Sequence, residues 1–219
     1  MTDRNADRPD TEDGSPGDAP LLSPAHGRDL VRDARSGLIR PADAPTGLLP
    51  KLTMVLARRS KDHPVLLGAP ADCTAIIHEL ACALVRDNVP ESLGGLRLYS
   101  FDVAAVAAGA RDRADMEEQL ASALVRAQRA DRVVLYVENL LDPTGLRGSP
   151  AALDAADALR PAIRRGRIKI IGRAEPDLYR ERIEARDAAL ARSFQAIRVP
   201  GRELDTADPP DAGPSNRSQ

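Results

Sequence analysis

Five apolar residues in a row, Val133-Val134-Leu135-Tyr136-Val137, constrain this chain more than any other stretch. A strand with one solvated face alternates polar and apolar residues. A strand apolar throughout must be covered on both faces, which points to a parallel sheet between helical layers. Similar short runs recur at Val65–Gly68, Leu96–Asp102, Ile168–Gly172 and Ala196–Val199, and each is read as a strand. Amphipathic stretches lie between them. Ile76, Ile77, Leu80, Ala81, Leu84 and Val85 share one face of a helix expected from Thr74 to about Arg86. Met116, Leu120, Leu124 and Ala127 do the same for a helix over Arg113–Ala130. Further helices are expected at Pro50–Arg59, Ala152–Arg164, Pro176–Ile183 and Asp187–Ser193. Strand and helix in alternation make βαβ units and an α/β fold.

Aromatic residues are only 2% of the chain and tryptophan is absent, so Ala, Leu, Val and Ile must build the core. Residues 1–24 and 201–219 are rich in Asp, Pro, Gly and Ser; both are expected to be disordered tails around one domain at 25–200. A net charge of −2 gives no general pull toward nucleic acid or an anionic membrane. The basic cluster Arg164-Arg165-Gly166-Arg167-Ile168-Lys169 has no aromatic residues for base stacking and reads as a solvated turn. No stretch approaches membrane-spanning length, and nothing at the N-terminus resembles a secretory signal. Two cysteines make no disulfide framework and suit a reducing compartment, so a cytoplasmic protein is expected.

The segment Val65-Leu66-Leu67-Gly68-Ala69-Pro70-Ala71-Asp72-Cys73-Thr74 has the layout of a phosphate-binding loop: an apolar strand, a Gly/Pro turn, then a helix. A working loop of the form G-x-x-x-x-G-K-[ST] uses glycines to bring backbone N–H groups to phosphate and a lysine to reach the terminal phosphates. Here the step from Gly68 to Thr74 is one residue short, with no second glycine and no lysine. Asp72 adds a carboxylate where a polyanion would lie. In the plainer reading Thr74 is only the N-cap of the helix.

Other constellations are weaker. His78 and Cys82 share a helical face, as in the H-E-x-x-H zinc helix, and Cys73 is a conceivable third ligand. A small core cysteine and an exposed histidine explain the same pattern, so no metal site is assigned. No G-x-S-x-G nucleophile elbow is present. Asp102, at the end of the second expected strand, reads as a cap or turn residue.

Over residues 29–200 the chain resembles the first ATPase module of the Clp unfoldase chaperones, members of the AAA+ class. The resemblance rests on collinear landmarks: the approach Leu56-Ala57-Arg58-Arg59-Ser60-Lys61-Asp62-His63-Pro64, then Asn88-Val89-Pro90-Glu91-Ser92-Leu93, Ala107-Ala108-Gly109-Ala110-Arg111 and Met116-Glu117-Glu118-Gln119-Leu120. Leu159–Gly166 and Ile183–Gln195 continue it. It implies a P-loop NTPase-like three-layer sandwich, with five parallel strands in the order 5-1-4-3-2 and helices on both faces.

The resemblance also implies a set of ATPase parts. Thr74 matches the magnesium-coordinating Ser/Thr, while the lysine position is empty or held by Cys73. Glu138-Asn139 replaces an Asp-Glu pair, and an amide such as Asn139 has no useful basicity toward an attacking water. The sensor threonine falls at Ala174, followed by Glu175. Of two arginines that reach a neighbouring subunit's nucleotide, Arg192 is kept and Ser193 replaces the other. The aromatic residue that grips a threaded polypeptide aligns with Asp112. The chain ends soon after the fifth strand, so the helical lid of the family is expected to be missing.

Taken together, these departures imply a catalytically silent AAA+ domain that acts through protein partners, an active Clp-type ATPase or a second copy, without cofactor. Gly68, Thr74 and Glu138 would be a vestigial nucleotide site, and Arg192 the residue facing a partner. The alternative is a weak ATP- and Mg2+-binding subunit that holds pyrophosphate at the N-terminus of the helix after Gly68, with Glu138 helping to position the metal.

Overall fold

The computed structural model describes residues 22–24, 26–41, 44–141, 155–165 and 168–201. The expected tails lie outside these except for Leu22–Pro24 and Gly201, and so does the start of the helix expected at Ala152.

The chain runs β1 (Gly27–Asp29), α1 (Leu30–Arg35), α2 (Leu48–Leu56), β2 (His63–Leu67), α3 (Pro70–Val85), β3 (Arg97–Phe101), α4 (Val103–Gly109), α5 (Arg113–Arg129), β4 (Val133–Val137), α6 (Ala155–Arg165), β5 (Lys169–Ala174), α7 (Pro176–Tyr179), α8 (Ala188–Ser193) and β6 (Phe194–Arg198). A π-helical turn at Arg180–Glu184 follows α7 directly.

The strands form one sheet in the order β1-β3-β4-β5-β2-β6. The five expected strands are all present and parallel, in the expected order. The sheet has one strand more than expected. β1 pairs antiparallel with β3, placing Arg28 opposite Ser100. It escaped the sequence reading because Gly-Arg-Asp carries no apolar pattern, and its place rests on backbone pairing. Gly27 is needed there, since a Cβ would stand 2.2 Å from the Ser100 carbonyl oxygen.

Period-two alternation divides the strands between two cores. Val65, Leu67, Tyr99, Phe101, Leu135, Val137 and Ile170 pack with α4, α5 and α6 on one face. Leu66, Leu98, Val134, Tyr136, Ile171 and Ile197 pack with α1, α2 and α3 on the other. β2 and β4 are buried at every position, as the unbroken apolar runs require.

His63, at the start of β2, is only 3% exposed. Its Nδ1 accepts the Ile170 N–H at 3.1 Å, which fixes the proton on Nε2. Nε2 faces the Asp62 carboxylate at 3.8 Å. Burial lowers the histidine pKa below 6.5, Asp62 opposes this, and Lys169 adds to it. A proton on Nδ1 would also break the bond to Ile170.

The unfolded chain takes up a proton on this histidine as pH falls through about 6.5, while the folded chain resists. Stability supplied by neutral His63 is therefore complete above that pH and declines below it, until the lower folded pKa is passed. Urea unfolding between pH 7.5 and 5 should show this decline, and His63→Asn should flatten it.

Candidate functional site

The expected site lies at the C-terminal ends of β2, β5 and β4, which are neighbours in the sheet. Its main element is α3, and α3 does not begin where the sequence reading put it. The helix starts at Pro70, with Ala69 as N-cap in extended conformation (ψ 145°). Thr74 is therefore the fifth helical residue and not a cap, which corrects the plainer reading.

The cause is local. Proline at the first helical position has its φ preset and no N–H to leave unbonded. It also pushes the preceding residue into extended backbone, as at Ala69. Asp72 in the first turn adds a negative charge at the positive end of the helix dipole. Helical bonding starts at once, with the Cys73 N–H donating to the Ala69 carbonyl at 3.1 Å. Residues 70–73 are thus a helical turn, where the sequence pattern suggested an open loop.

Gly68 is held by a different demand. Beyond β6 the backbone crosses close to it, and the Val199 N–H donates to the Leu67 carbonyl at 2.9 Å. A Cβ on Gly68 would stand 2.8 Å from Val199 Cβ and 2.9 Å from its carbonyl oxygen.

The sequence reading found no cation here, but the structure supplies one. Arg173, near the end of β5, donates through Nε to the Gly68 carbonyl at 3.3 Å and through Nη1 to Asn139 Oδ1 at 3.3 Å. It therefore spans from the end of β2 to the end of β4 across its own strand. The signal was one basic residue closing an otherwise apolar strand, Ile170-Ile171-Gly172-Arg173-Ala174.

Two groups shifted by burial feel the guanidinium's charge. Desolvation pushes the Cys73 thiol up to about 11, against an opposing pull from Arg173. A thiol so poorly ionised is no nucleophile near neutral pH. Desolvation also raises the Tyr136 pKa, and the Glu138 carboxylate adds to it. The Tyr136 hydroxyl is buried without a hydrogen bond of normal geometry among the described residues, with Thr74 as the polar side chain beside it.

Glu138 is exposed and lines a cleft of about 200 Å³ with Ser100, Asp102 and Asn139. Three acidic residues noted in the sequence act as caps. Asp112 accepts from the Asp115 N–H at 2.9 Å and opens α5. Asp102 accepts from the Ala105 N–H at 2.9 Å and opens α4. Glu175 accepts from Asp177 and Leu178 amides at 3.1 and 3.0 Å, next to buried Ala174.

Arg192 is not gathered with these groups. It is exposed on α8, just before β6, whose first residue Phe194 pairs with His63 at the start of β2. That places it at the opposite end of the strands from Gly68, about 13 Å away along β2 alone. α8 is fixed by Asp187, which accepts the Leu190 N–H at 3.0 Å and is also bonded to Arg160. Arg160 reaches back to Asp157 at 2.6 Å. The side chain of Ser193, beside it, turns inward to the Ala189 carbonyl at 3.4 Å.

A zinc site on α3 would need Cys73 and Cys82 on one side. They stand nine positions apart on one continuous helix, half a turn out of phase, and both are buried. No group of three or more metal-ligating side chains occurs among the described residues.

With this geometry the chain can be compared with known proteins. It is 39% identical over 173 residues to the ATP-dependent Clp protease ATP-binding subunit ClpC of Staphylococcus saprophyticus, and equally to that of Staphylococcus aureus. The match takes in 78% of this chain and 21% of either relative. The chain carries a Clp-type AAA+ module.

Solved structures agree. Hsp104 with ATPγS and FITC casein superposes with a TM-score of 0.69 at 34% identity, over 80% of this chain and 30% of that one. The S. cerevisiae Hsp104-ADP complex gives 0.67 at the same identity and coverage. No family model matches. The Clp-type module thus spans about a fifth of its curated relatives' length. No helix among its described residues is long and apolar enough to cross a membrane.

If Gly68 serves chain packing and not phosphate approach, Gly68→Ala in this module should destabilise it. The clash with Val199 should cost about 1–3 kcal/mol in urea unfolding. A neutral substitution would contradict that role.

Proposed function

We propose that this module is a catalytically silent member of the Clp-type AAA+ class, working in the cytoplasm as a protein-interaction or regulatory unit. The observation that carries the reading is the start of α3 at Pro70. A phosphate group needs an open turn with several amides aimed inward. Here Pro70 has no amide, the Cys73 amide is bonded within the helix, and Asp72 occupies the first turn.

ATP with magnesium, the group the family implies, does not fit these residues well. No lysine lies between Gly68 and Thr74. Arg173 already holds Gly68 and Asn139, and that amide stands where a proton acceptor would be needed. Thr74 is a turn inside the helix and directed toward Tyr136. No catalytic step through the nucleotide is therefore derived.

The retained scaffold supports a role in association. Arg192 is exposed on a helix fixed by the Asp187–Arg160–Asp157 network, far from its own chain's Gly68. On this reading it meets a neighbouring subunit, an active Clp-type ATPase or a second copy, and not its own site. Residues 25–200 act on this reading as the folded unit, with the segments on either side as tails.

Titrating a fluorescent ATP analogue, with and without magnesium, tests the claim of silence. No saturable binding is expected below the millimolar range. Micromolar binding that depends on magnesium and weakens in Glu138→Gln would instead establish the weak nucleotide-binding subunit. For association, adding the protein to an active Clp-type ATPase should change its turnover, and Arg192→Ala should remove that change.

A further inference from the structure

Among the described residues the sheet ends in β6, which pairs on one side only, with β2. The Val199 N–H turns inward to Leu67, so by the period-two alternation of a parallel ladder the Ala196 and Arg198 amides turn to the open side. Next to this edge runs a groove of about 320 Å³ between α2 and β6. Its apolar floor is Val55, Ala196 and Ile197, with Met54 standing 57% exposed at its side.

The rim is basic. Lys51, Arg58 and Arg198 are exposed and line the groove, and no acidic side chain among the described residues does. Lys51, Met54 and Arg58 follow at spacings of three and four, so they share the side of α2 that faces the groove. Arg58 donates to Gln195 Oε1 at 3.2 Å, and Gln195 Nε2 donates to the Ala196 carbonyl at 3.3 Å. One outward carbonyl of the edge is thus covered by a side chain that an incoming strand can displace.

We propose that the α2–β6 edge docks an extended protein segment, added as a seventh strand, in which carboxylates flank an apolar residue at every second position, on the side turned toward α2. Its backbone would pair with Ala196 and Arg198; on the side facing α2 an apolar side chain would cover Met54, and carboxylates two residues before and after it would meet Lys51 and Arg58. Strand addition of this kind takes affinity from main-chain bonds and specificity from alternate side chains. The charge complementarity of the rim selects the acidic class. The inference rests on the interaction role proposed above and names a surface for it.

The test uses the full chain and a labelled short peptide with glutamate, valine and glutamate at every second position and serine between them, followed by fluorescence anisotropy. An oligoglutamate peptide of equal charge is the comparison. Saturable binding is expected, weaker for oligoglutamate, and reduced at least about tenfold in Lys51→Glu/Arg58→Glu through like-charge repulsion. Arg129→Glu, an exposed reversal on α5, should leave binding unchanged. Hydrogen exchange at the Ala196 and Arg198 amides should slow on peptide addition.

Three results would overturn the proposal. These are no saturable binding, equal binding of both peptides with no slowing of the two amides, or binding unaffected by the double reversal. The first would leave the open edge protected by its charges alone, a common defence against strand pairing. No nucleotide enters the assay, so its failure is separable from failure of the ATP titration.

Discussion

Between the end of β2 and the body of α3 the chain can build a loop or a helical turn, and the hydrogen bond from the Cys73 amide to the Ala69 carbonyl selects the turn. That bond exists because Pro70 begins the helix and Ala69 is held extended before it. Starting the helix early has consequences on every side. It moves Thr74 into the second turn, buries Cys73 against the sheet, and sets Asp72 in the first turn. It also leaves Gly68 free to meet the strand extension at Val199. The rest of the Clp-type scaffold tolerates the change because strand alternation and helix faces make both cores, to which this turn adds only Cys73.

Much of the architecture was legible before the structure. Runs such as Val133–Val137 can only be strands buried on both faces, and period-two alternation then fixes which residues meet which helix layer. Leu120, Leu124 and Ala127 on α5 needed no more than their spacing. What escaped was held by backbone geometry or by single residues. β1 is a charged tripeptide placed by pairing with β3. α1 and α4 are too short for periodicity to establish them.

The site was less legible than the fold. Gly68 was singled out for phosphate approach, yet the structure gives its missing side chain a packing reason at Val199. Thr74 was read as a cap, although Pro70 followed by Asp72 is the better helix-start signal in the same ten residues. Arg173 was overlooked because a basic residue at a strand end looks like ordinary solvent exposure. Only the sheet order shows that its strand lies between those of Gly68 and Asn139, so one guanidinium reaches both. Asp112 shows how a polar residue in an aligned position can be occupied as a helix cap, as Asp102 and Glu175 are elsewhere.

The turn from Pro70 to Thr74 should be helix in solution and stay helix when nucleotide is offered. Residue-resolved amide hydrogen exchange across 69–75, with and without Mg2+ and ATP, addresses it most directly. Slow exchange is expected at Cys73 and Thr74, unchanged by nucleotide. Fast exchange there that becomes protected when ATP is added would contradict it, because it would mean an open loop that closes on phosphate.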